Sequence, residues 1–295
     1  MQLLENIDLE KYNDYGEYRA KVREKAEFRD DIYTHFETRK HGILGQKLPW
    51  TKTDQLVGLQ DSEVSIWAGE NGSGKSLLLG QVMMKLSSKV LIASFEMPAV
   101  KTLSRMARQF CGHVQPSKNE IERFSEWKQD QFFIFDHVGT VEPWQVFALC
   151  RYAHYELGIS HVVIDSLMKC TKGEDDYNGQ KDFVDALTVV AKETKQHIHL
   201  VHHIRKGQTD DHIPSKKDIK GSGVITDLAD NVFIVARNKK KEKEAELNGC
   251  PDNTVPDTWL KVEKQRNGEW EGSIALWYDK NSTQFQEGFH YPVIF

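Results

Sequence analysis

Eight consecutive residues in this chain have types and spacing suited to one kind of chemistry. Gly69, Glu70, Asn71, Gly72, Ser73, Gly74, Lys75 and Ser76 fit the pattern G-x-x-x-x-G-K-[ST] at every fixed position. Glycines let backbone N–H groups approach phosphate oxygens, and a helix opening at Lys75 adds the positive end of its dipole. Lys75 then neutralises β- and γ-phosphate oxygens, Ser76 ligates Mg²⁺, and Leu77 completes the binding turn. The expected ligands are ATP, or another NTP or dNTP, with Mg²⁺. Asp165 ends the apolar run of HVVIDS and is placed to hold the same cation as Ser76. Glu96 ends VLIASFE, where a carboxylate faces the crevice in which open α/β sheets bind ligands and can orient an attacking water. The plainer readings are that many strands end in Asp, and that Glu96 is a solvated helix-capping residue ahead of Pro98.

The surrounding pattern must position these residues. Short apolar runs span Val64 to Ala68, Val90 to Phe95, Phe132 to Phe135, His161 to Ile164, Ile198 to Val201 and Val232 to Ala236. Amphipathic segments separate them, such as Lys75 to Leu86 and the series Phe183, Leu187, Val190, Ala191 and Thr194. That alternation predicts an α/β fold of mostly parallel strands with crossover helices. Beyond Ala236, Thr258 to Lys264 and Gly272 to Tyr278 flank Asn267-Gly268, so the sheet is expected to end in antiparallel strands. Leu9 to Arg29 has helical spacing, interrupted by Gly16. It gives a division into an N-terminal linker and oligomerisation region, 1–40, and an ATPase domain, 41–295.

Composition narrows the class. Of 295 residues, 39% are hydrophobic and 28% charged, as in soluble globular proteins. No apolar stretch is long enough to span a bilayer, and the N-terminus lacks a signal-peptide pattern, so a cytoplasmic protein without a membrane partner is expected. Cys111, Cys150, Cys170 and Cys250 form no Cys-x-x-Cys pair, which argues against a zinc ribbon or disulfide framework. The net charge of −5 argues against coating nucleic acid with the whole surface but allows local basic loops.

SFEMPAVKTLSRMARQ, Ser94 to Gln109, resembles the segment after the second strand in DnaB-type (superfamily 4) replicative ring helicases. LVHHIRK, Leu200 to Lys206, and IKGSGVITDLADNVFIVARN, Ile219 to Asn238, resemble the helicase domain of phage primase–helicases and mitochondrial Twinkle. The resemblance covers Leu48 to Tyr278 and implies a RecA-like P-loop core. By position it implies Glu96 as catalytic base, His203 as γ-phosphate sensor, and Arg237 on a conformational sensor. It also implies Lys264 and Arg266 as basic fingers to a neighbouring subunit's ATP, and Tyr278 as a base-stacking aromatic, although that last alignment needs a one-residue gap. Read without it, His203 suits a satisfied core histidine and Arg266 a solvated turn residue.

The loop from Arg205 to Gly223 carries Arg205, Lys206, Lys216, Lys217 and Lys220 before Gly221. Such residues suit sequence-independent phosphate contacts, and the resemblance places the loop in a central pore on single-stranded DNA. No aromatic in it offers a base-stacking platform. Lys169 to Gln180 reads as a flexible acidic loop. Asn238 to Glu246 has mixed charges that fit a solvated face or exposed loop; the resemblance places it near a third pore-facing loop, where Lys239 to Lys241 would touch DNA.

The implied function is a DNA helicase motor, a hexameric ring on single-stranded and forked DNA. The linker is expected to dock on the next protomer. Without a zinc segment, primase domain or bacterial-type collar, the chain is expected to rely on a separate primase and a DNA polymerase, as a phage or prophage minimal helicase in the host cytoplasm. A recombinase-like filament protein and an ATP-switched helicase loader are the competing classes.

Overall fold

The apolar runs form strands because each is short, rich in β-branched and aromatic side chains, and able to be covered on both faces. A computed structural model describes residues 2–3, 25–40, 43–173, 175–204, 214–219 and 223–295. The first half comprises β1 (Gln2–Leu3), α1 (Arg29–Lys40), β2 (Gln46–Lys47), β3 (Gly58–Leu59), β4 (Val64–Gly69), α2 (Lys75–Lys85), β5 (Val90–Ser94), α3 (Ala99–Cys111), α4 (Lys118–Glu126), β6 (Phe132–Phe135) and α5 (Pro143–Tyr155). The second comprises β7 (His161–Asp165), α6 (Tyr177–Thr194), β8 (His197–His203), α7 (Gly223–Leu228), β9 (Asn231–Arg237), α8 (Lys239–Asn248), β10 (Thr258–Gln265), β11 (Gly272–Tyr278) and β12 (Phe285–Gln286).

The main sheet has the order β1-β6-β5-β7-β8-β4-β9-β10-β11-β12. Pairing is parallel from β1 to β9 and antiparallel from β9 to β12. Every residue of β4 is buried. Alternate β4 side chains enter different cores: Val64, Ile66 and Ala68 pack with residues of α5, α6 and α7, while Trp67 packs with residues of α2. The expected fold class, mostly parallel with antiparallel strands at the C-terminal end, is what forms.

The expected helix Leu9 to Arg29 lies mostly outside the described residues; the described residues that follow form a 3₁₀ turn at Lys25–Phe28 and the helix Arg29–Lys40. Two local expectations are corrected. The acidic loop ends earlier than expected, because the Asp176 carboxylate accepts the Gly179 N–H and caps α6 from Tyr177. The stretch beginning at Lys239 is helix α8, capped by Asn238 and closed by Gly249 at φ 74°. Lys241 is buried there, with Nζ 2.6 Å from the Val255 carbonyl and 2.7 Å from Asp257 Oδ1, so it is not a pore-facing cation. Among the described residues, no helix is long and apolar enough to cross a membrane.

Candidate nucleotide site

Parallel register gathers four sequence-distant residues along one edge of the sheet. Gly69, the last residue of β4, is paired with His203, the last of β8. Ser94, the last of β5, is paired with Asp165, the last of β7, and Glu96 lies two residues beyond Ser94. The P-loop starts at this edge and feeds α2. Gly74 has φ 91°, and a Cβ there would stand 2.8 Å from Phe285 Cζ, so glycine is required both for backbone shape and for space.

Lys75 lies along the loop and donates to the Gly69 and Glu70 carbonyls at 2.9 Å each. Burial pushes its pKa down to about 8, against the opposing pull of Asp165, Glu96 and Glu70. Those are carbonyls a phosphate would replace. Ser76 and the buried Asp165 line the same cleft, and the Asp165 pKa is raised chiefly by burial, which the nearby Ser76 hydroxyl opposes. A hydroxyl and a carboxylate facing one cleft are oxygen donors of the kind Mg²⁺ uses while retaining waters and phosphate oxygens. The residues therefore fit that ion.

Glu96 Oε1 accepts the Ser166 hydroxyl at 2.5 Å and faces His203 Nε2 at 3.6 Å. The imidazole is the largest cause of a Glu96 pKa near 2; burial opposes it and Ser166 reinforces it. His203 Nδ1 is buried with no hydrogen-bond partner among the described residues. On the other side of the loop, Lys239 pairs with Glu70, and Arg237, the last residue of β9, pairs with Glu242 of α8. Tyr278 lies on Phe285 with ring centroids 5.2 Å apart, and burial raises its phenol pKa. It therefore belongs to the same end of the molecule as the P-loop.

Lys264 and Arg266 are elsewhere. Lys264 donates to the carbonyls of Thr226, Asp227 and Ala229 at 2.9, 2.8 and 2.7 Å. Arg266 donates to Asp227 and Leu228 carbonyls and pairs with Asp230 at 3.2 Å. Both clasp the C-terminal end of α7. Antiparallel register puts Gln265 opposite Asn231, and parallel register puts Asn231 opposite Ser65. The pair therefore sits beside the start of β4, while the P-loop follows its end. Along β4 the register of the pair lies about 10 to 17 Å from Gly69.

The chain matches the family described as DnaB-like helicase C terminal domain over residues 49–287.

It belongs to that family.

Relatives of this DnaB-like domain include a replicative DNA helicase DnaB from Leifsonia xyli, 30% identical over 258 residues, covering 79% of this chain and 54% of the relative. A DNA helicase/primase of Enterobacteria phage T3 is 23% identical over 272 residues, covering 79% and 48%. The chain thus spans about half the length of the curated relatives it matches. A solved ATPase domain superposes with a TM-score of 0.77 at 18% identity, covering 90% of this chain and 98% of its own. A solved DnaB-like replicative helicase, described with its primase interactions, superposes at 0.73 and 19%, covering 90% and 67%. At those identities the structures establish the shared fold.

Several residues of the DnaB-like site escaped the sequence reading. Phe285 covers Gly74, and its backbone is held by Gln81, with Nε2 to the Phe285 carbonyl and Phe285 N–H to Oε1, both 2.7 Å. The only signal was a polar Gln81 inside an otherwise apolar helix. Arg105 lines the same open cleft as Ser76 and Asp165. Of the predicted DNA contacts, Arg205, Lys206, Lys220 and Gly221 lie outside the described residues. Lys216 is drawn onto β10: its N–H donates to Glu263 Oε2 at 3.2 Å and its ammonium to the Glu263 carbonyl at 3.4 Å. Lys217 beside it is exposed.

Proposed function

We propose that the chain is an ATP-driven DNA helicase motor that works as a ring on single-stranded DNA. The observation that carries this is the placement of Lys264 and Arg266 at the end of the sheet away from the chain's own P-loop. A basic pair of that kind can serve a nucleotide only on another copy. Arg266 remains 43% exposed although bonded to the end of α7. In a ring, six copies would put each nucleotide between one subunit's Lys75, Ser76, Glu96 and Asp165 and the next subunit's Lys264 and Arg266. A cation reaching the γ-phosphate offsets charge that grows in the transition state.

Glu96 accepts Ser166 and faces His203, and these donors hold down its basicity. It gains basicity when those donors turn toward a bound phosphate, so His203 links the γ-phosphate to Glu96 and, through Ile204, to the segment beginning at Arg205. Ser76 and Asp165 would hold Mg²⁺, which neutralises phosphate charge when bound. Tyr278 would stack on the base, and Arg237 would report on the nucleotide state. The basic residues Arg205, Lys206, Lys217 and Lys220 would grip the DNA backbone. Phe28, Ile32 and Phe36, spaced at four residues and exposed, suit docking of the N-terminal segment on the next protomer. A separate primase and polymerase complete the replication role.

The direct test is strand displacement on forked DNA bearing one 5′ or one 3′ tail, with ATP and Mg²⁺. Unwinding that disappears in Lys75→Ala supports the motor, and tail preference sets its polarity. DNA-stimulated hydrolysis without displacement on either fork would overturn the helicase reading and favour a recombinase-like filament.

A further inference from the structure

The P-loop of this chain contains a carboxylate of its own. Glu70 is the second residue of GENGSGKS, and its side chain is only 17% exposed. Its backbone carbonyl accepts both Lys75 Nζ and the Ser73 N–H, so it sits at the fold of the loop. Its charge is near enough to act on the Lys75 ammonium. A nucleoside triphosphate brings several further negative charges to the same loop, and like charges at such range repel.

A countercharge comes from another element. Lys239 Nζ forms an ion pair with Glu70 Oε2. Lys239 is the first residue of α8, where the helix dipole disfavours a cation. The two lysines that follow are satisfied elsewhere, Lys240 by Glu244 at 4.0 Å and Lys241 by Asp257 at 2.7 Å. Nearby Arg237 is taken by Glu242. With Lys239 itself 39% exposed, the pair contributes little to folding stability. Its position serves neither the helix nor the core.

We propose that Lys239 is a positioning residue for nucleotide binding: by neutralising Glu70, it lets the P-loop accept a nucleoside triphosphate without repulsion from the loop's own carboxylate. This rests on the reading of the loop as a phosphate site. Lys239 acts through Glu70 and does not itself touch the nucleotide.

The test is an equilibrium titration of the full chain with a fluorescent ATP analogue and Mg²⁺, followed by anisotropy. Lys239→Ala is expected to raise Kd about tenfold, the effect of losing one charge of about 1.4 kcal/mol. Lys239→Arg should keep most of the affinity. The double variant Glu70→Gln/Lys239→Ala should bind within about threefold of Glu70→Gln alone, because no carboxylate remains to be neutralised. An unchanged Kd in Lys239→Ala overturns the proposal. So does a double variant that keeps the full tenfold loss, since Lys239 would then act on the nucleotide directly. A wild-type chain that binds no analogue would instead remove the nucleotide reading itself.

Discussion

At the scale of single residues, Glu96 is the most informative group. Its carboxylate lies between Ser166 and His203, and its pKa near 2 keeps it ionised throughout the physiological range. A group that is always ionised fails as a base only through its hydrogen bonds, so its strength is set by the two donors. Glu96→Gln preserves shape and removes basicity. We expect ATP hydrolysis to fall about 10²- to 10⁴-fold while nucleotide affinity changes little. Single-turnover hydrolysis beside a binding titration checks this, and near-normal turnover would assign Glu96 to capping. Sequence position alone marked Glu96 as a candidate, because strand ends face the ligand crevice. Ser166 was invisible beforehand, since a serine after Asp165 carries no periodic or motif signal. Lys241 shows the reverse case. Three consecutive lysines read as solvent-facing, yet local geometry buries the third beneath Asp257.

At the scale of elements, the sheet is tied at the edge opposite the nucleotide by a buried polar chain across β4, β7 and β8. Trp67 Nε1 donates to His199 Nδ1 at 3.1 Å, which leaves His199 Nε2 to donate to His161 Nδ1, also at 3.1 Å. His197 Nδ1 donates to the Gln60 carbonyl at 2.6 Å, and its Nε2 accepts Ser65 Oγ at 2.7 Å. Each ring is therefore neutral with a defined tautomer. Burial pushes His161 down to about 4 and His197 to about 3, and His199 lies well below its ordinary value. The unfolded rings titrate near 6.5, so the unfolded state binds protons first as pH falls. The stability these groups give is complete above about pH 6.5 and declines toward pH 4, by about 1.4 kcal/mol per pH unit for each ring. Tm should fall steeply between pH 6.5 and 4.5, and His161→Gln should make the slope shallower. An unchanged slope in differential scanning calorimetry would show that these rings do not govern acid sensitivity. Glu63, raised by burial, has the opposite sign and softens the effect.

For the whole molecule, the proposed function divides one site between two ends of the sheet. Arg266→Ala is expected to bind nucleotide normally and lose about 10³- to 10⁵-fold in hydrolysis. Lys75→Ala should be inactive for a different reason, since its P-loop is disabled. Mixing the two inactive variants should restore partial ATPase activity, because some interfaces then pair an intact P-loop with an intact Arg266. Absence of recovery, with mixed assemblies demonstrated by native mass spectrometry, would place Arg266 outside the catalytic interface.

The sequence by itself determined the P-loop, the order of strands and helices, and the final hairpin, because each depends on local spacing: glycines before a lysine, apolar alternation, and Asn267-Gly268. It also marked Asp165 and Glu96, since parallel strands place their C-terminal ends on one edge whatever the details. Only the tertiary structure decided which carboxylate meets which donor, that Phe285 covers Gly74, that Lys239 pairs with Glu70, and that Lys264 and Arg266 grip the end of α7 away from the loop. Those contacts join residues distant in sequence, and their geometry depends on strand order and register, which a local pattern does not encode.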